Sequence, residues 1–323
     1  MPAEGGFPPH MKSEKTIFSL KKVCFAVLIF VTACVLFWFI YRSYRDPVVT
    51  EITIESSKVT DPVRFVFIAD LHENVFGKDN QQFYDQINEL DPDFILIGGD
   101  IINWTSVNDE YAVEVISELA GFSDVYFSIG NHEIEYLHFR KEIEFSGLDR
   151  NDSSLTLVKT DENGLIRRIE KAGATVLQKN WTDIEINNTK LRIGGAYEGM
   201  FSLKTDNPKD TMLKGMYAFL TDFQDTDSLK LYMTHRPYSF LCGNGSSLWD
   251  IDVVLCGHEH AGQVILPVLG GLYSRERGIF PKYTHGAFDF GRTTLIVTSG
   301  IGSDAEILPR FNNPPEIVLV IIK

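Results

Sequence analysis

Long basic runs are missing after residue 50, and the chain as a whole carries 44 Asp and Glu against 30 Lys and Arg, a formal net charge of -14. Proteins that follow phosphate backbones show a basic footprint. The acidic balance therefore argues against extended nucleic acid as a partner, although bound metal would reverse the sign locally. Cysteine is also scarce. Of the four, Cys24 and Cys34 fall in an apolar run near the N-terminus, and two others cannot make a disulfide framework. A Cys242–Cys256 bridge stays open for an extracytoplasmic domain, but Cys256 ends the apolar stretch Asp252–Cys256 and reads as a small core residue. Internal repeats and low-complexity tracts are absent. The composition is 44% hydrophobic and 23% charged, which excludes disorder and fits a chain able to bury a large core.

One segment departs from globular character. Val23 to Tyr41 is an uncharged run of bilayer-spanning length, with Trp38 and Tyr41 near one end, where amphipathic rings favour the interface. Lys12, Lys15, Lys21 and Lys22 precede it; Arg42 and Arg45 follow. The bias favours a cytoplasmic N-terminus and an extracytoplasmic remainder. A cleaved signal has a shorter apolar core and a small-residue exit, and a buried core helix does not fit the charged flanks. The expected organisation is a leader over 1–22, a membrane anchor over 23–41, a linker with a first strand over 42–62, and one catalytic domain over 63–323. Met11 could also serve as the start.

From Arg64 onward the pattern alternates. Strand-length apolar runs at Arg64–Ala69, Phe94–Gly98 and Val125–Ile129 are separated by helix-spaced segments at Gln81–Leu90 and Tyr111–Leu119. Such alternation predicts parallel strands with right-handed helical crossovers, so the strand C-termini share one sheet edge, where α/β sheets bind ligands. The second half is richer in strands: Thr182–Ile186, Lys190–Gly194, Leu229–Met233, Val253–Cys256, Thr294–Thr298 and Ile317–Ile322, with a helix at Leu165–Ala172. The first two, around Asn187-Asn188-Thr189, predict an antiparallel hairpin. The expected fold is α/β, with a second sheet facing the first.

Histidine is the residue whose placement speaks. Of eight, five lie in short motifs that follow apolar strands: Asp70-Leu71-His72, Gly130-Asn131-His132-Glu133, His235 and Gly257-His258-Glu259-His260. Gly99-Asp100 completes the series. Adjacent divalent ions need a bridging carboxylate and further oxygen and nitrogen donors on each. Asp-x-His and His-x-His place two donors on one side if the chain is extended there. Each motif alone is weak or moderate; all five in order make a metal centre the expectation.

The ordered set resembles the calcineurin-like metallophosphoesterase superfamily from about Arg64 to the C-terminus. Leu269-Gly270-Gly271-Leu272-Tyr273, Gly278 to Tyr283 and Pro309 to Glu316 further resemble its membrane-anchored bacterial phosphodiesterases. The resemblance implies a two-sheet α/β sandwich with two divalent ions, Mn, Fe, Zn or Co. One would take Asp70, His72, Asp100 and His260, the other Asp100, Asn131, His235 and His258. It implies that His132 serves the leaving oxygen while a bridging hydroxide attacks phosphorus in line. Glu259 and Ala261 stand where the subgroup has Thr and Gly, neither a ligand position.

The implied reaction is hydrolysis of a phosphodiester or pyrophosphate-type bond, and the anchor directs the expectation to a lipid-linked or envelope-precursor phosphate ester. Runners-up are a phosphomonoesterase or phosphoprotein phosphatase, for which no gripping arginine stands beside the motifs, and a metal-free scaffold, for which no ligand is missing. Arg236 reads as a solvated arginine more than a phosphate contact, and His285 as structural more than a pocket residue. His138 reads as helical. Tyr197 and Glu198 could border the pocket, Asn103-Trp104 its rim, and Leu269–Phe290 either a membrane-facing lip or packed loops.

Overall fold

The computed structural model describes residues 11–45, 47–141, 163–196, 214–242, 244–303 and 308–323. A long apolar helix, α1 (Met11–Arg42), leads into β1 (Val48–Ile54). Then come β2 (Val63–Ile68), α2 (Gln81–Glu89), β3 (Phe94–Ile97), α3 (Glu110–Ala120), β4 (Val125–Phe127), α4 (Asn131–Phe139), α5 (Leu165–Lys171) and β5 (Ala174–Val176). The first sheet has the order β1-β16-β2-β3-β4-β5, where β16 (Glu316–Ile322) is the last strand. β2 to β5 are mutually parallel, while β16 runs antiparallel to β2 and parallel to β1.

The second sheet contains β6 (Asn180–Ile186), β7 (Thr189–Gly195), β8 (Leu229–Met233), β9 (Val253–Cys256), β14 (Gly286–Asp289) and β15 (Thr294–Val297), in the order β14-β15-β9-β8-β7-β6. The expected β6–β7 hairpin is present. Its turn residues Asn187 and Asn188 have φ of 49° and 61°, the left-handed pair that a two-residue hairpin turn demands. Helices α6 (Lys214–Gln224), α7 (Pro237–Cys242) and α8 (Gly245–Leu248) belong to this half. Between β9 and β14 lie two miniature hairpins, β10 (Ile265–Leu266) with β11 (Gly270–Gly271) and β12 (Tyr273–Ser274) with β13 (Gly278–Ile279).

The sheets face each other across a dry apolar layer. Phe65, Phe67, Phe94, Leu96, Val318 and Val320 of the first sheet meet Leu191, Ile193, Leu231, Met233, Val253 and Leu255 of the second. The Phe65 and Phe94 rings stack 5.1 Å apart. Alternate residues Val66, Ile68, Ile95 and Ile97 turn outward under the helices, where α3 sets its stripe of Ala112, Val115, Ile116 and Leu119. Both sheet faces are thus covered, which is why these strands read as continuous rather than alternating apolar runs. Truncating one of the stacked phenylalanines to alanine costs about 3–5 kcal/mol.

Sequence periodicity missed α6, α7, α8, β5, β14 and the miniature hairpins; apart from α6 these elements span six residues or fewer, too short to show a period. His138 lies on α4 as expected. Cys256 is buried and unbridged, whereas Tyr197 and Glu198 lie outside the described residues.

β16 begins on a polar anchor. Glu316 accepts hydrogen bonds from Thr50 Oγ1, Thr298 Oγ1, the Ser299 N–H and His285 Nε2 at 2.6, 2.9, 2.8 and 2.8 Å. His285 is therefore structural. Burial would raise the Glu316 pKa, but His285 and the other donors bring it down to about 2. The His285 pKa is raised by Glu316 against the opposing effect of burial. Glu316 thus contributes stability above its unfolded pKa, lost as pH falls toward 2. His285 contributes stability below its unfolded pKa, lost as pH rises through its raised folded value. His285→Gln should therefore lower the melting temperature more at about pH 6 than at about pH 9; an equal penalty at both pH values in a thermal scan would refute the pairing.

Candidate metal centre

The C-terminal ends of both sheets' parallel strands converge. β2 delivers Asp70 and His72, β3 Asp100, β4 Asn131 and His132, β8 His235, and β9 His258 and His260. Three groups form: Asp70 with His72 and His260; Asp100 with His235 and His258; and His72 with Asp100 and His132. Within each, the potential ligand atoms lie within 4.8 Å of one another. The sequence-predicted residues are thus brought together, with Asn131 at the head of α4 on the same wall.

The chain does not achieve this through extended Asp-x-His and His-x-His segments. Asp70, His72, Asp100, His258 and His260 all have positive φ, between 43° and 69°. Each motif folds back in left-handed turns instead of continuing the strand, a conformation costly for residues with a side chain. The turns are held by ladder-like bonds: the Asp70 N–H donates to Gly99 O (2.9 Å), and His72 and Glu73 N–H to Asp100 O and Ile101 O (3.1 and 3.0 Å). Gly99, with φ of 93°, is indispensable here, because a Cβ would strike the backbone of Ile129 and Gly130. A Cβ on Gly300 would stand 2.7 Å from the Asp70 Cβ, so glycine lets the loop after β15 close behind that carboxylate.

The ring orientations suit cation binding. His235 Nδ1 donates to the Gly98 carbonyl (2.8 Å), which leaves Nε2 facing Asp100 Oδ2 at 2.9 Å and Asp70 Oδ1 at 3.7 Å. His72 Nδ1 donates to Asn103 Oδ1 (3.1 Å), turning Nε2 inward to lie 3.3 Å from His260 Nε2. A second hydrogen bond of this kind is what orients a ligating imidazole. Asn131 Oδ1 and His260 Nδ1 are buried without a hydrogen-bond partner among the described residues. Such orphaned donor and acceptor atoms are expensive; a cation drawing on them removes the cost, so the residues present fit a metal.

Electrostatics agree. Burial pushes His72 down to about 3 and His258 down to about 4, and holds His260 well below its ordinary value, leaving neutral imidazoles as ligands require. Burial raises Asp70 to about 7. For Asp100 burial works the same way, but His235 and the other histidines hold its carboxyl well below the usual range. His235 is pushed up to about 10 by Asp100 and Asp70, against its own burial. A bound cation would take over the balancing of charge that His235 supplies to these two carboxylates.

Residues without an assigned role in the motifs prove to hold it in shape. Glu133 is fully buried, and its carboxylate accepts the N–H groups of Asp100 (2.8 Å), Ile101 (2.7 Å), Ile102 (3.3 Å) and Gly130 (2.9 Å). It ties the turn after β3 to the start of α4. The Trp104 N–H donates to His132 Nδ1 (3.3 Å) and the His132 N–H to Asp100 Oδ1 (2.8 Å). Asn103 and Trp104 therefore orient imidazoles, which goes beyond shaping a rim.

Arg310 is the least legible of these. Fully buried, its guanidinium donates to the carbonyls of Ser299 (2.9 Å), Gly300 (3.1 Å), Asn313 (2.9 Å) and Pro314 (3.1 Å), and to Gly302 O. Burial lowers its pKa to about 10. The loop it clamps donates from Ile301 to Ala69 O (3.0 Å) and from Gly302 to Asp70 O (2.6 Å). Asn313 Nδ2 holds His260 O (2.8 Å). An arginine that bonds mostly to backbone carbonyls, with Ser299 Oγ (3.3 Å) and Asn313 Oδ1 (3.2 Å) as its side-chain partners, leaves no partner motif in sequence.

Two sequence expectations need correcting. Arg236 is no solvated arginine: it is half-buried and lies 3.1 Å from Glu276, which also sits 3.4 Å from His258 Nε2. Nor does the site lack nearby arginines, since folding brings Arg275 onto the cleft wall opposite Asp100, Asn131 and His132, beside Gln263, Tyr273 and Ser274. Arg277 pairs with the buried Glu259 (2.9 Å).

Paired carboxylates and inward-turned imidazoles at the strand ends of a two-sheet α/β sandwich define a metal-binding hydrolase class of site. A family model described as calcineurin-like phosphoesterase matches residues 63–262, and the chain belongs to that family. It is 26% identical over 322 residues to an uncharacterized metallophosphoesterase of Campylobacter jejuni, covering 97% of this chain and 73% of the relative. Phosphodiesterase YaeI of Escherichia coli is 26% identical over 264 residues, covering 80% of this chain and 82% of the relative. Among solved structures, a dimetal phosphatase from Danio rerio aligns with a TM-score of 0.40 at 14% identity, over 74% of this chain and 88% of that one.

Glu133→Gln puts an amide NH₂ where backbone N–H groups converge. Stability should fall by about 2–4 kcal/mol in denaturant titration, with metal affinity roughly 10–100-fold weaker by calorimetry. A variant that matches the wild type in both measurements would remove Glu133 from this account.

Proposed function

We propose that the chain is a metal-dependent phosphoesterase that hydrolyses a phosphodiester or pyrophosphate-type bond in a phosphate-ester substrate carried at a membrane, such as a lipid or envelope precursor. The observation that carries this reading is the convergence of Asp70, His72, Asp100, His235, His258 and His260 beside the unpartnered Asn131 Oδ1. In it, Asp70, His72 and His260 would hold one divalent ion and Asn131, His235 and His258 the other, with Asp100 available to both. Mn, Fe, Zn and Co all suit this nitrogen and oxygen set. Bound there, such ions would acidify a water and neutralise charge on the phosphate.

The chain's own groups supply the rest. His132 has Nδ1 occupied by the Trp104 N–H, so the neutral ring carries its proton on Nε2. It serves as donor to the leaving oxygen, from a ring held against Asp100 by its own backbone N–H. Asp70, Asp100 and His235 are themselves buried, which strengthens the charge interactions among them. The name of the Escherichia coli relative, a phosphodiesterase, supports the diester preference.

In the same reading, residues 1–22 are a cytoplasmic leader and residues 23–41, within α1, are the single-pass anchor. Lys21–Arg42 has a mean hydropathy of 2.9 over its apolar window and no buried residues there. Residues 42–62 carry the linker and β1, and 63–323 form the catalytic domain outside the cytoplasm. A phosphomonoesterase or phosphoprotein phosphatase is the second reading, favoured by Arg275 on the cleft wall, a cation for the extra charge of a monoester.

With the Mn²⁺-loaded full chain, Asp100→Ala and His258→Ala should lose metal and turnover together. His132→Ala should keep its metal and lose roughly 10²–10⁴-fold in turnover of bis(4-nitrophenyl) phosphate. Undiminished turnover in that variant refutes the role of His132. Faster hydrolysis of 4-nitrophenyl phosphate than of the diester by the wild type selects the monoesterase reading, and no hydrolysis of either sinks both.

A further inference from the structure

The miniature hairpins expose large apolar side chains at their ends. Val268 is fully exposed, Leu269 63%, Ile279 70% and Phe280 48% exposed. Other exposed large apolar side chains among the described residues of the domain, such as Val49, Phe122 and Leu248, lie outside these hairpins. Single exposed apolar residues are ordinary for a soluble surface; four on one pair of hairpins are not.

That unit is laterally continuous with the end of α1. The Phe311 ring lies 5.4 Å from the Phe39 ring of the helix. The Arg310 N–H donates to the Tyr44 hydroxyl (2.9 Å), and the Asn313 N–H to Ser43 Oγ (3.1 Å). From Phe311 a ladder of backbone bonds leads outward. Ile265 N–H donates to Phe311 O (3.0 Å), Leu272 N–H to Val264 O (2.9 Å), and Phe280 N–H to Leu272 O (2.9 Å). Asn312 Nδ2 reinforces the first step at Ile265 O (3.0 Å). Three strand spacings span about 15 Å.

Phe39 is one helical turn before Arg42, about 4.5 Å along the axis. If α1 crosses the bilayer, Phe311 therefore stands at the depth where hydrocarbon gives way to headgroups, and the ladder starts there. We infer that the hairpin ends, Val268-Leu269 and Ile279-Phe280, are seated in the phospholipid interface beside α1, forming a second, non-helical membrane contact. The inference rests on the reading of α1 as the anchor and is independent of the reaction the site performs.

The occupant is lipid rather than protein because the surface continues from a helix whose own apolar side chains are uncovered: Phe37 and Trp38 are 68% and 51% exposed. The same segment supplies Gln263, Tyr273, Ser274 and Arg275 to the cleft wall. Seating the hairpins in the interface sets the cleft mouth at headgroup level, within reach of a phosphate ester held by its own acyl chains.

The test uses the full chain in phosphatidylcholine and phosphatidylglycerol vesicles, with and without bromine on the acyl chains. Comparing the wild type with Trp38→Phe reads the anchor, since the Trp38 indole should be quenched by bromine. Leu269→Trp and Ile279→Trp add an exposed indole at each hairpin. Most of the added emission should be lost in brominated vesicles and should shift to shorter wavelength. Phe122→Trp, after the far end of α3, should add emission that survives. Quenching at position 38 with none at 269 or 279 overturns the hairpin contact and leaves the anchor standing. No quenching at 38 overturns the anchor and the inference together. An indole at 269 or 279 that shifts to shorter wavelength without bromine quenching places protein, such as a second copy of the chain, on this surface and also overturns it.

Discussion

Two carboxylates, Asp70 and Asp100, are buried side by side, and that single constraint shapes the edge where the two sheets meet. Like charges removed from water repel and lose hydration, so the surroundings must supply positive charge or hydrogen-bond donors. The chain supplies backbone donors first. Asp70 accepts the His258 N–H at 2.9 Å, and Asp100 accepts the His132 N–H at 2.8 Å. The Asp70, Asp100 and His258 positions that make or receive these bonds lie in left-handed turns, whereas Asn131 and His132 open helix α4. His235 then bridges both carboxylates, and the remaining charge is what a metal would answer. Glu133 and Arg310 are consequences of the same demand one layer further out: the first collects N–H groups that the turns leave over, the second the carbonyls.

Much of the fold was legible before any coordinates. The parallel core strands β2, β3 and β4, their crossover helices, the β6–β7 hairpin and the facing second sheet all follow from apolar run lengths and turn residues. What escaped has a common physical character. β5 and the miniature hairpins are too short to express a period, and α6 is identified by tertiary packing of Met216, Leu220 and Phe223 more than by any terminal signal. The site shows the same division. Asp70, His72, Asp100, Asn131, His132, His235, His258 and His260 were visible as chemistry at strand ends. The local geometry expected for Asp-x-His was wrong in kind, because extended alternation gives way to folded-back turns. Asn103 was read only as part of the rim, and the roles of Arg310 and Arg275 were not legible, because pairings made across distant loops have no sequence spacing.

The comparisons and the geometry meet at different levels. The family match covers residues 63–262 and holds the whole donor set, while β14, β15 and β16 complete the two sheets from beyond it. The segment after 262 builds one wall of the cleft and reaches back to α1. Loops that extend a conserved scaffold are where selectivity is expected to reside.

The Arg310 clamp has a practical side. The Arg310 N–H is satisfied by the Tyr44 hydroxyl and the Asn313 N–H by Ser43 Oγ, and both acceptors belong to the exit of the long N-terminal helix. Cutting the chain just behind that helix, the customary route to a soluble preparation, removes the floor on which the residues behind Asp70 and beneath His260 are laid. A shortened protein would therefore differ from the intact one in the support of its candidate metal centre as well as in length, and the exit of the long helix and the architecture of the site are parts of one mechanical object.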